Sequence, residues 1–286
     1  MNSQVINSLN DIVNRYDVFF VDMYGTLWDG TALYPEIIPT LQVLREKSKK
    51  VYVLSNSTTI GNLFRDKLTQ LGLQINQHYD GVITSGDLLS EKLENHFFRT
   101  IGRRLDYKFY VIGRHNPMLL WSEIEHQVHD ISVADFVYVG SLILNGDHPT
   151  TLDAFIPDLQ KALEKKIPLV CANPDYQALH GDLKYYCSGA AALWYEQQGG
   201  TVHWIGKPYP ELYAYIKQKT SVDFKQAVMI GDTLRTDIKG ASTAGMDTVL
   251  VTGHGMTADA LSEGKILSDL CAQENVIPTY VLDRIK

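Results

Sequence analysis

The chain has 286 residues, of which 45% are hydrophobic and 21% charged, a balance typical of a globular protein with one or two domains. Its formal net charge of −7 argues against a nucleic-acid polymer or a membrane surface as a partner, because both need a positively charged protein face. A small anionic ligand stays open, since it responds only to the local field around its site.

Short apolar runs rich in β-branched residues predict strands, each closed by Gly, Asn, Asp or Ser. In chain order they are VFFVD (18–22), VYVLSN (51–56), GVITS (81–85), KFYVIG (108–113), DFVYVG (135–140), IPLVCAN (167–173), AVMIGD (227–232) and DTVLVTG (247–253). Segments of helical period lie between many of them, as at 36–50 and 61–72, where Gly72 stands at a C-cap position. This alternation predicts an α/β fold, a doubly wound parallel sheet covered on both faces.

The middle third of the chain repeats the strand–helix rhythm but has different residues at its strand ends. Its stretch 173–200 is rich first in turn formers, then in small residues and then in aromatic residues. We therefore predict an inserted α/β cap domain at 86–203, within a core domain formed by 1–85 and 204–286.

The first two predicted strands end in polar residues that are candidates for a ligand site, because open parallel sheets bind ligands beyond their carboxyl ends. Asp22 closes the first strand, where a carboxylate serves as a nucleophile, a metal ligand or a plain turn cap. Ser55 and Asn56 close the second. Their hydroxyl and backbone N–H groups, just ahead of a helix, suit a phosphate or simply cap the helix.

Two later segments add charged candidates. Lys207 follows Gly206 in a tight turn, where it would balance a phosphate and nearby carboxylates, although most lysines are solvated surface residues. Asp232 ends a strand, and Asp237 follows five residues later in the first turn of a predicted helix. Two acids at such a turn are either helix-start residues or a hard oxygen site for Mg²⁺, and their spacing favours the metal.

These motifs together resemble the four signatures of the haloacid dehalogenase (HAD) superfamily. DMYGT (22–26), the Ser55 strand end, GKP (206–208) and GDTLRTD (231–237) have the order and spacing of those signatures over nearly the whole chain. The long insert resembles the class II α/β cap. NPD (173–175) and SGAAAL (188–193) resemble the class IIA, NagD-like and p-nitrophenyl-phosphatase-like branch. The resemblance implies a Rossmann-like core and a cap that closes over the site.

The resemblance also implies a metal-assisted nucleophile. In that family the first Asp attacks phosphorus and forms an aspartyl-phosphate, a role that falls on Asp22. Mg²⁺ would be held by Asp22, the backbone carbonyl of Tyr24 and Asp232, with Asp237 supporting the site from behind.

A phosphate site is implied beside the nucleophile. Ser55 and the N–H of Asn56 would hold phosphate oxygens, while Lys207 would neutralise them and orient Asp22. Positive charge is needed in any case, because a carboxylate approaches a phosphate dianion only when both are screened.

Tyr24 departs from the family pattern, which usually has a second Asp there to protonate the leaving oxygen and then activate water. Such help is typically worth about 10²–10⁴-fold in rate. A phenol with an ordinary pKa near 10 does this work poorly at pH 7. We therefore expect the metal and phosphate site to survive and fast general turnover to be lost.

Three functions follow from this reading. The first is Mg²⁺-dependent hydrolysis of a small phosphomonoester, such as a sugar phosphate or nucleotide. The second is a weakly catalytic or non-catalytic protein that binds Mg²⁺ and a phosphate ligand. The third is metal-independent dehalogenation, because tyrosine at this position also resembles the haloacid dehalogenases. The two acids of GDTLRTD favour the first function over the third. A haloacid substrate needs no Mg²⁺, and an acidic pair without a metal would repel its carboxylate.

Location and assembly are expectations from composition. We predict a cytoplasmic protein for three reasons. The three cysteines form no motif, the N-terminus has no basic segment before an apolar one, and no apolar run reaches about 18 residues. The aromatic pairs Tyr185–Tyr186 and Trp194–Tyr195 fit a cap surface, the cap core or a contact between subunits. A homodimer therefore stays open.

Overall fold

The computed structural model describes residues 3–114, 121–143 and 146–286, and its strands fall into two parallel sheets and a hairpin. In chain order the strands are β1 (Gln4–Ile6), β2 (Val18–Val21), β3 (Lys50–Ser55), β4 (Gly81–Thr84), β5 (Phe109–Ile112), β6 (Gln127–Val128), β7 (Phe136–Val139), β8 (Leu169–Cys171), β9 (Gln177–His180), β10 (Leu183–Tyr186), β11 (Val202–Trp204), β12 (Ala227–Gly231), β13 (Asp247–Val251) and β14 (Tyr280–Leu282).

Helices connect most of these strands. Within the described ranges they are α1 (Ile37–Glu46), α2 (Gly61–Gln70), α3 (Ser85–Glu94), α4 (Phe97–Gly102), α5 (Ile156–Glu164), α6 (Ser188–Gln197), α7 (Pro210–Thr220), α8 (Lys239–Thr243), α9 (Gly255–Ser262) and α10 (Leu267–Glu274). A π-helical turn, Leu234–Ile238, leads directly into α8. Short 3₁₀ turns occupy Leu9–Asp11, Val13–Arg15, Trp121–His126, Ile131–Val133 and Phe224–Gln226.

The core sheet is parallel, with the order β1–β14–β13–β12–β2–β3–β4. Within this sheet β2 has β3 on one side and β12 on the other, and Val21 pairs with both Val53 and Ile230. The chain therefore leaves these three strands at one edge of the sheet. A switch point of this kind is where α/β sheets place their ligands.

Helices cover both faces of the core sheet, and the side chains of each strand alternate between these two faces. Phe19 and Val21 of β2 pack in one apolar cluster with Leu41 of α1 and Phe64 of α2. Phe20 points the other way, into a second cluster that includes Leu212 of α7. The all-apolar sequence of β2 is what a strand covered on both faces requires.

The cap sheet is also parallel, with the order β11–β8–β7–β5–β6. One of its faces packs on α5 and α6 through residues such as Leu159 and Tyr195. Phe98 of α4 and Phe136 of β7 belong to the core's second cluster, so the two domains share apolar packing. The antiparallel hairpin β9–β10 reaches the core, where Gly181 donates its N–H to the Asp29 carbonyl at 2.8 Å.

The predicted fold class, a doubly wound parallel sheet with an inserted α/β cap, is confirmed. The sequence prediction missed β1, β6, β11 and β14, whose two or three residues are too few to show a period, and it read the β9–β10 hairpin as turns. It also expected an ordinary helix start around Asp237, where the chain forms a π-helical turn. The domain limits near 85 and 204 stay a prediction. Across the described ranges, no helix combines the length and apolar character that a bilayer crossing requires.

Candidate active site

A cavity of about 240 Å³ lies between the carboxyl edge of the core sheet and the cap. Every residue predicted for the site except Asp232 lines it, namely Asp22, Tyr24, Ser55, Asn56, Lys207 and Asp237. Asp232 is fully buried just behind this wall. Side chains from four distant parts of the chain therefore meet at one place.

Lys207 is the centre of the charged network. Its Nζ donates to Asp22 Oδ1 at 2.5 Å, to Asp237 Oδ1 at 2.7 Å and to the Leu54 carbonyl at 3.2 Å. The Asn56 side chain holds the lysine backbone at both ends: its Oδ1 accepts from the Lys207 N–H at 2.7 Å, and its Nδ2 donates to the Lys207 carbonyl at 3.1 Å. The amine is thus fixed by its backbone as well as by its charge.

Asp232 is held by the loop after β2 and by the start of α9. Its Oδ1 accepts from Thr26 Oγ1 at 3.2 Å, and its Oδ2 accepts from the Met256 N–H at 2.5 Å. Gly25 and Gly255 have φ of +81° and +76°, and a Cβ at either position would collide with the Asp232 carboxylate. Both glycines are therefore needed for their left-handed backbone and for their lack of a side chain.

The three acids form a compact cluster. Asp22, Asp232 and Asp237 each offer a carboxylate oxygen, and these oxygens all lie within 4.8 Å of one another. Asp22 Oδ1 is bonded to the lysine, whereas its Oδ2 accepts no hydrogen bond within the described part of the chain. The Asp237 carboxylate has donors on both oxygens, because its Oδ2 accepts from the Thr233 N–H at 3.1 Å.

The cluster holds more negative than positive charge. Burial and then repulsion by Asp237 raise the pKa of Asp232 to about 7. Burial also raises the pKa of Asp22 and of Asp237, although Lys207 opposes it. Burial lowers the pKa of Lys207, but the adjacent carboxylates outweigh it and the net shift is upward, so the amine stays charged. One ammonium faces three carboxylates, and a divalent cation that prefers oxygen ligands fits the remaining charge.

The turn after β3 faces the same cavity. Ser55 is the last residue of β3, and its Oγ accepts from the Ser57 N–H at 3.2 Å. The backbone N–H of Asn56 donates to none of the residues that the structure describes. A hydroxyl and an N–H group are therefore available beside Lys207, as a phosphate oxygen requires.

The side chain of Tyr24 is half-buried at the edge of the cavity. Its ring meets that of Trp28 edge-on, with centroids 4.9 Å apart, and its hydroxyl accepts a hydrogen bond from Lys67 Nζ at 2.8 Å. Burial raises the pKa of Tyr24 above its usual value, and burial lowers the pKa of Lys67 to about 8. The phenol thus stays protonated at neutral pH. The sequence analysis included Lys67 only as part of the helical segment 61–72 and missed this contact.

The cap supplies the opposite wall. The rings of His148 and Tyr185 pack there at an interplanar angle of 31°, with centroids 4.0 Å apart, and Asp175 reaches the core wall, where its Oδ1 accepts from Asn56 Nδ2 at 3.0 Å. Sequence reasoning used the segment containing Asp175 only as a family feature and did not place the residue in the site. Its position after a predicted strand, 167–173, was the available signal.

The aromatic pairs of the cap have separate places. Tyr185 and Tyr186 line the cavity, whereas Tyr195 is buried in the cap core and Trp194 packs against the same cluster. The homodimer left open by the sequence gains no support from either pair.

Two family models match the chain. A model described as haloacid dehalogenase-like hydrolase matches residues 19–125, and a model described as HAD-hydrolase-like matches residues 204–286. Between them lies most of the predicted cap.

Individual proteins match over most of the chain. The ribonucleotide monophosphatase NagD of Escherichia coli (strain K12) is 34% identical over 235 residues, which cover 80% of this chain and 85% of NagD. The 4-nitrophenylphosphatase of Schizosaccharomyces pombe is 22% identical over 303 residues, covering 96% and 94% of the two chains. A solved haloacid dehalogenase-like hydrolase from Brucella suis 1330 covers 99% of this chain and 100% of its own, with 25% identity and a TM-score of 0.81.

Proposed function

The chain belongs to the haloacid dehalogenase-like hydrolases, in the branch of NagD and the 4-nitrophenylphosphatases, and from that premise we propose that it is a Mg²⁺-dependent phosphatase of small phosphomonoesters. The family and the hydrolase class predicted from four short motifs are confirmed. The metal, the substrate and the roles of individual residues remain proposals.

The observation that carries the proposal is the bridge made by Lys207 between Asp22 and Asp237. A fully buried amine between two carboxylates is costly to build unless the site needs positive charge at that point. A phosphate dianion approaching Asp22 creates that need, because two anions must come together for the reaction to begin.

In this proposal Asp22 is the nucleophile. Its Oδ2, which no described donor engages, attacks phosphorus while Lys207 holds Oδ1 and fixes the orientation of the carboxylate. The bond from phosphorus to the ester oxygen breaks, that oxygen leaves with the bonding electrons, and an aspartyl-phosphate remains. Ser55 and the N–H of Asn56 hold the phosphoryl oxygens, and water then releases inorganic phosphate.

Mg²⁺ would be held by the carboxylates of Asp22 and Asp232 and by the backbone carbonyl of Tyr24, with Asp237 supporting the site through Lys207. The Tyr24 carbonyl accepts no hydrogen bond within the described ranges, whereas the carbonyls of Met23 and Gly25 on either side do. Bound there, the cation would offset negative charge on the phosphoryl group and on the acids.

We expect slow turnover because residue 24 is a tyrosine. It is half-buried, it remains protonated, and its oxygen already accepts a hydrogen bond from Lys67. It therefore cannot serve as the base that activates water, and the second half of the reaction lacks its usual assistance. Esters with good leaving groups should suffer least in the first half, because their oxygen needs no proton to depart.

The test is a panel of phosphomonoesters and haloacids, each assayed with Mg²⁺ and with EDTA. We expect Mg²⁺-dependent phosphate release that Asp22→Asn abolishes, while Asp17→Asn, at an exposed residue before β2, has little effect. Tight binding of Mg²⁺ and phosphate with no release from any ester would instead indicate a binding protein. Halide release that survives EDTA would indicate a dehalogenase.

A cytoplasmic setting and a small phosphate ester as partner complete the proposal. Cys171, Cys187 and Cys271 are all free, which suits a reducing compartment. Fractionation of the cell that expresses the chain checks the location directly.

A further inference from the structure

Lys207 is held at two points, its backbone and its amine. At the backbone, Asn56 Oδ1 accepts from the Lys207 N–H at 2.7 Å, and Asn56 Nδ2 donates to the Lys207 carbonyl at 3.1 Å and to Asp175 Oδ1 at 3.0 Å. At the amine, Nζ donates to Asp237 Oδ1 at 2.7 Å. Burial lowers the pKa of the lysine and nearby carboxylates raise it, Asp175 among them, so this acid also acts on Lys207 through its charge.

Asp175 and Asp237 belong to two segments that meet again at Arg235. Asp237 lies with Arg235 in the π-helical turn Leu234–Ile238. Nη2 of Arg235 donates to the carbonyl of Pro174, which directly precedes Asp175 in the chain. The contacts therefore close into a ring, called the Lys207 ring below, whose members in order are Arg235, Pro174, Asp175, Asn56, Lys207 and Asp237.

The part of the Lys207 ring that comes from the cap lies in a narrow gap between α6 and the turn before Lys207. A Cβ at Gly189 of α6 would collide with the Pro174 carbonyl, and a Cβ at Gly206 would collide with the Pro174 ring. Pro174 is buried, and its carbonyl accepts no backbone hydrogen bond within the described ranges. A buried carbonyl without a donor is costly, so the hydrogen bond from Arg235 is needed where the loop stands.

The guanidinium of Arg235 is directed at the cap loop and away from the substrate. Its Cζ lies 3.6 Å from the centroid of the Tyr176 ring, so the same loop binds it by a cation–π contact as well as by the Pro174 carbonyl. Arg235 lines an adjoining cavity and is absent from the described lining of the active-site cavity. Any effect of Arg235 on the reaction must therefore pass through the residues that it holds.

Resting on the proposed phosphatase function, we propose that Arg235 is a positioning residue that closes the Lys207 ring and thereby fixes the direction of the Lys207 amine toward Asp22. The amine has to hold Asp22 Oδ1, at 2.5 Å, while the other oxygen attacks phosphorus. With the ring closed, the cap loop and the π-helical turn fix the backbone and the amine of Lys207 together. With the ring open at Arg235, the loop can shift and Asn56 with it, and a misplacement of about 1 Å can cost about 10²-fold in rate.

Three variants at arginine positions test the effect on turnover of 4-nitrophenyl phosphate. Arg235→Met keeps the apolar stem but removes the charge and the donors, and it should lower kcat about 30-fold while KM changes by less than about threefold. Arg235→Lys keeps the charge and one donor to the Pro174 carbonyl, so it should recover at least about a third of the wild-type kcat. Arg99→Met makes the methionine change at an exposed arginine of α4 and should alter neither value.

Hydrogen exchange measured by NMR reports on the Lys207 ring without any turnover. The Lys207 N–H donates to Asn56 Oδ1, so its exchange should be slow while the ring is closed. In Arg235→Met this amide should exchange at least about tenfold faster, while the amides of β13 keep their wild-type rates. An equal acceleration at Lys207 and in β13 would show a general loss of stability and overturn the proposal.

A double-mutant cycle separates an effect through the ring from an independent one. Asn56→Ala opens the Lys207 ring at a different point, so adding Arg235→Met to it should lower kcat by at most about a further threefold. If Arg235→Met lowers kcat about 30-fold in both backgrounds, the two residues act independently and the proposal is wrong.

Tyr176→Leu keeps the test open if Arg235→Met does not fold, because it removes the ring beneath the guanidinium and should also speed exchange at Lys207. Unchanged exchange at Lys207 in the folded variant would overturn the proposal. The proposed function fails separately, if 4-nitrophenyl phosphate shows no release that depends on Asp22. In that case the exchange measurement alone decides: a Lys207 amide that exchanges faster in Arg235→Met but not in Arg99→Met supports the positioning role, and equal rates refute it.

Discussion

The two walls of the active-site cavity differ in charge and in burial. On the core wall, Asp22, Ser55, Lys207 and Asp237 have at most 7% of their surface exposed. On the cap wall, Asn173, Asp175, Gln177 and Tyr186 are only half-buried, and Asp175 is the one carboxylate among the lining residues that the structure describes there. Charges removed from water must be matched inside the protein, so each one on the core wall constrains the others. The cap wall carries no such constraint and is free to fit a leaving group.

Removing the cation of the core wall should have the largest effect. Lys207→Met would leave Asp22 and Asp237 buried without a counter-charge, at a cost of about 3–5 kcal/mol in the free energy of unfolding at pH 8. The raised pKa values of both acids mean that the penalty shrinks at pH 5, where they are more protonated. Activity should fall about 1,000-fold.

Urea unfolding at the two pH values and phosphate-release assays measure these effects. Lys225→Met, which removes an exposed lysine before β12, is the matched control. Equal destabilisation of Lys207→Met at both pH values would show that packing, not charge, is what the lysine contributes.

Tyr24 stands where the two walls meet, and restoring the acid there should raise turnover. Tyr24→Asp is expected to speed phosphate release at least about tenfold, because it supplies the group that protonates the leaving oxygen and activates water. It should also lower stability by about 3 kcal/mol, since the ring packs against Trp28 and accepts from Lys67.

Tyr24→Phe is the control for this substitution. It keeps the ring packing and removes the hydroxyl, so its turnover should stay near that of the wild type. Steady-state assays with an alkyl phosphate separate the two variants. A folded Tyr24→Asp protein with no gain in rate would mean that the missing acid is not what limits the reaction.

The charge of the core wall should also make Mg²⁺ binding depend on pH. The pKa of Asp232 is raised to about 7, so below that pH the cation must displace a proton. Apparent affinity should fall about tenfold for each pH unit below 7 and level off above it. Without metal, the folded state keeps this proton up to about pH 7, whereas the unfolded chain releases it near pH 4. Stability is therefore lost as pH rises between those values.

The rise in melting temperature on adding Mg²⁺, measured from pH 5.5 to 8.5, checks this prediction. The increment should be small at pH 5.5 and largest above pH 7. Asp232→Asn should abolish most of the increment and its pH dependence. A constant increment across the range would exclude Asp232 as the group that competes for the metal.

The core wall could largely be predicted from the sequence, because Asp22, Ser55 and Asp232 each close an apolar strand of one parallel sheet. Their convergence follows from sheet geometry alone. The contact between Lys67 and Tyr24 joins residues 43 positions apart, and it depends on how α2 is rotated against the β2 loop. The helical period at 61–72 predicts the helix that carries Lys67, but it cannot name the partner of that side chain. The position of Asp175 in the site was not predicted for a related reason, because the direction of a loop after a strand depends on contacts across the cavity.

The smallest expected effect concerns the attachment of the cap wall. The β9–β10 hairpin is tied to α9 by Lys184, whose Nζ pairs with Asp259 Oδ2 at 2.6 Å and also with Glu263. These side chains are partly exposed, so the pairs should contribute at most about 1 kcal/mol and weaken in salt. Lys184→Ala should raise KM for a small ester about two- to fivefold at low ionic strength, because the open cap becomes more populated.

Salt and charge reversal distinguish a local attachment from a general loss of stability. In 0.5 M salt the KM of the wild type should approach that of Lys184→Ala, since screening removes most of the difference. Exchanging the two charges, in Lys184→Glu with Asp259→Lys, should restore part of the low-salt KM. Lys108→Ala, at an exposed lysine of the cap away from the hairpin, should change neither value. A KM unaffected by Lys184→Ala would mean that apolar packing holds the cap wall in place, whereas charges hold the core wall. The hairpin would then only cover the site.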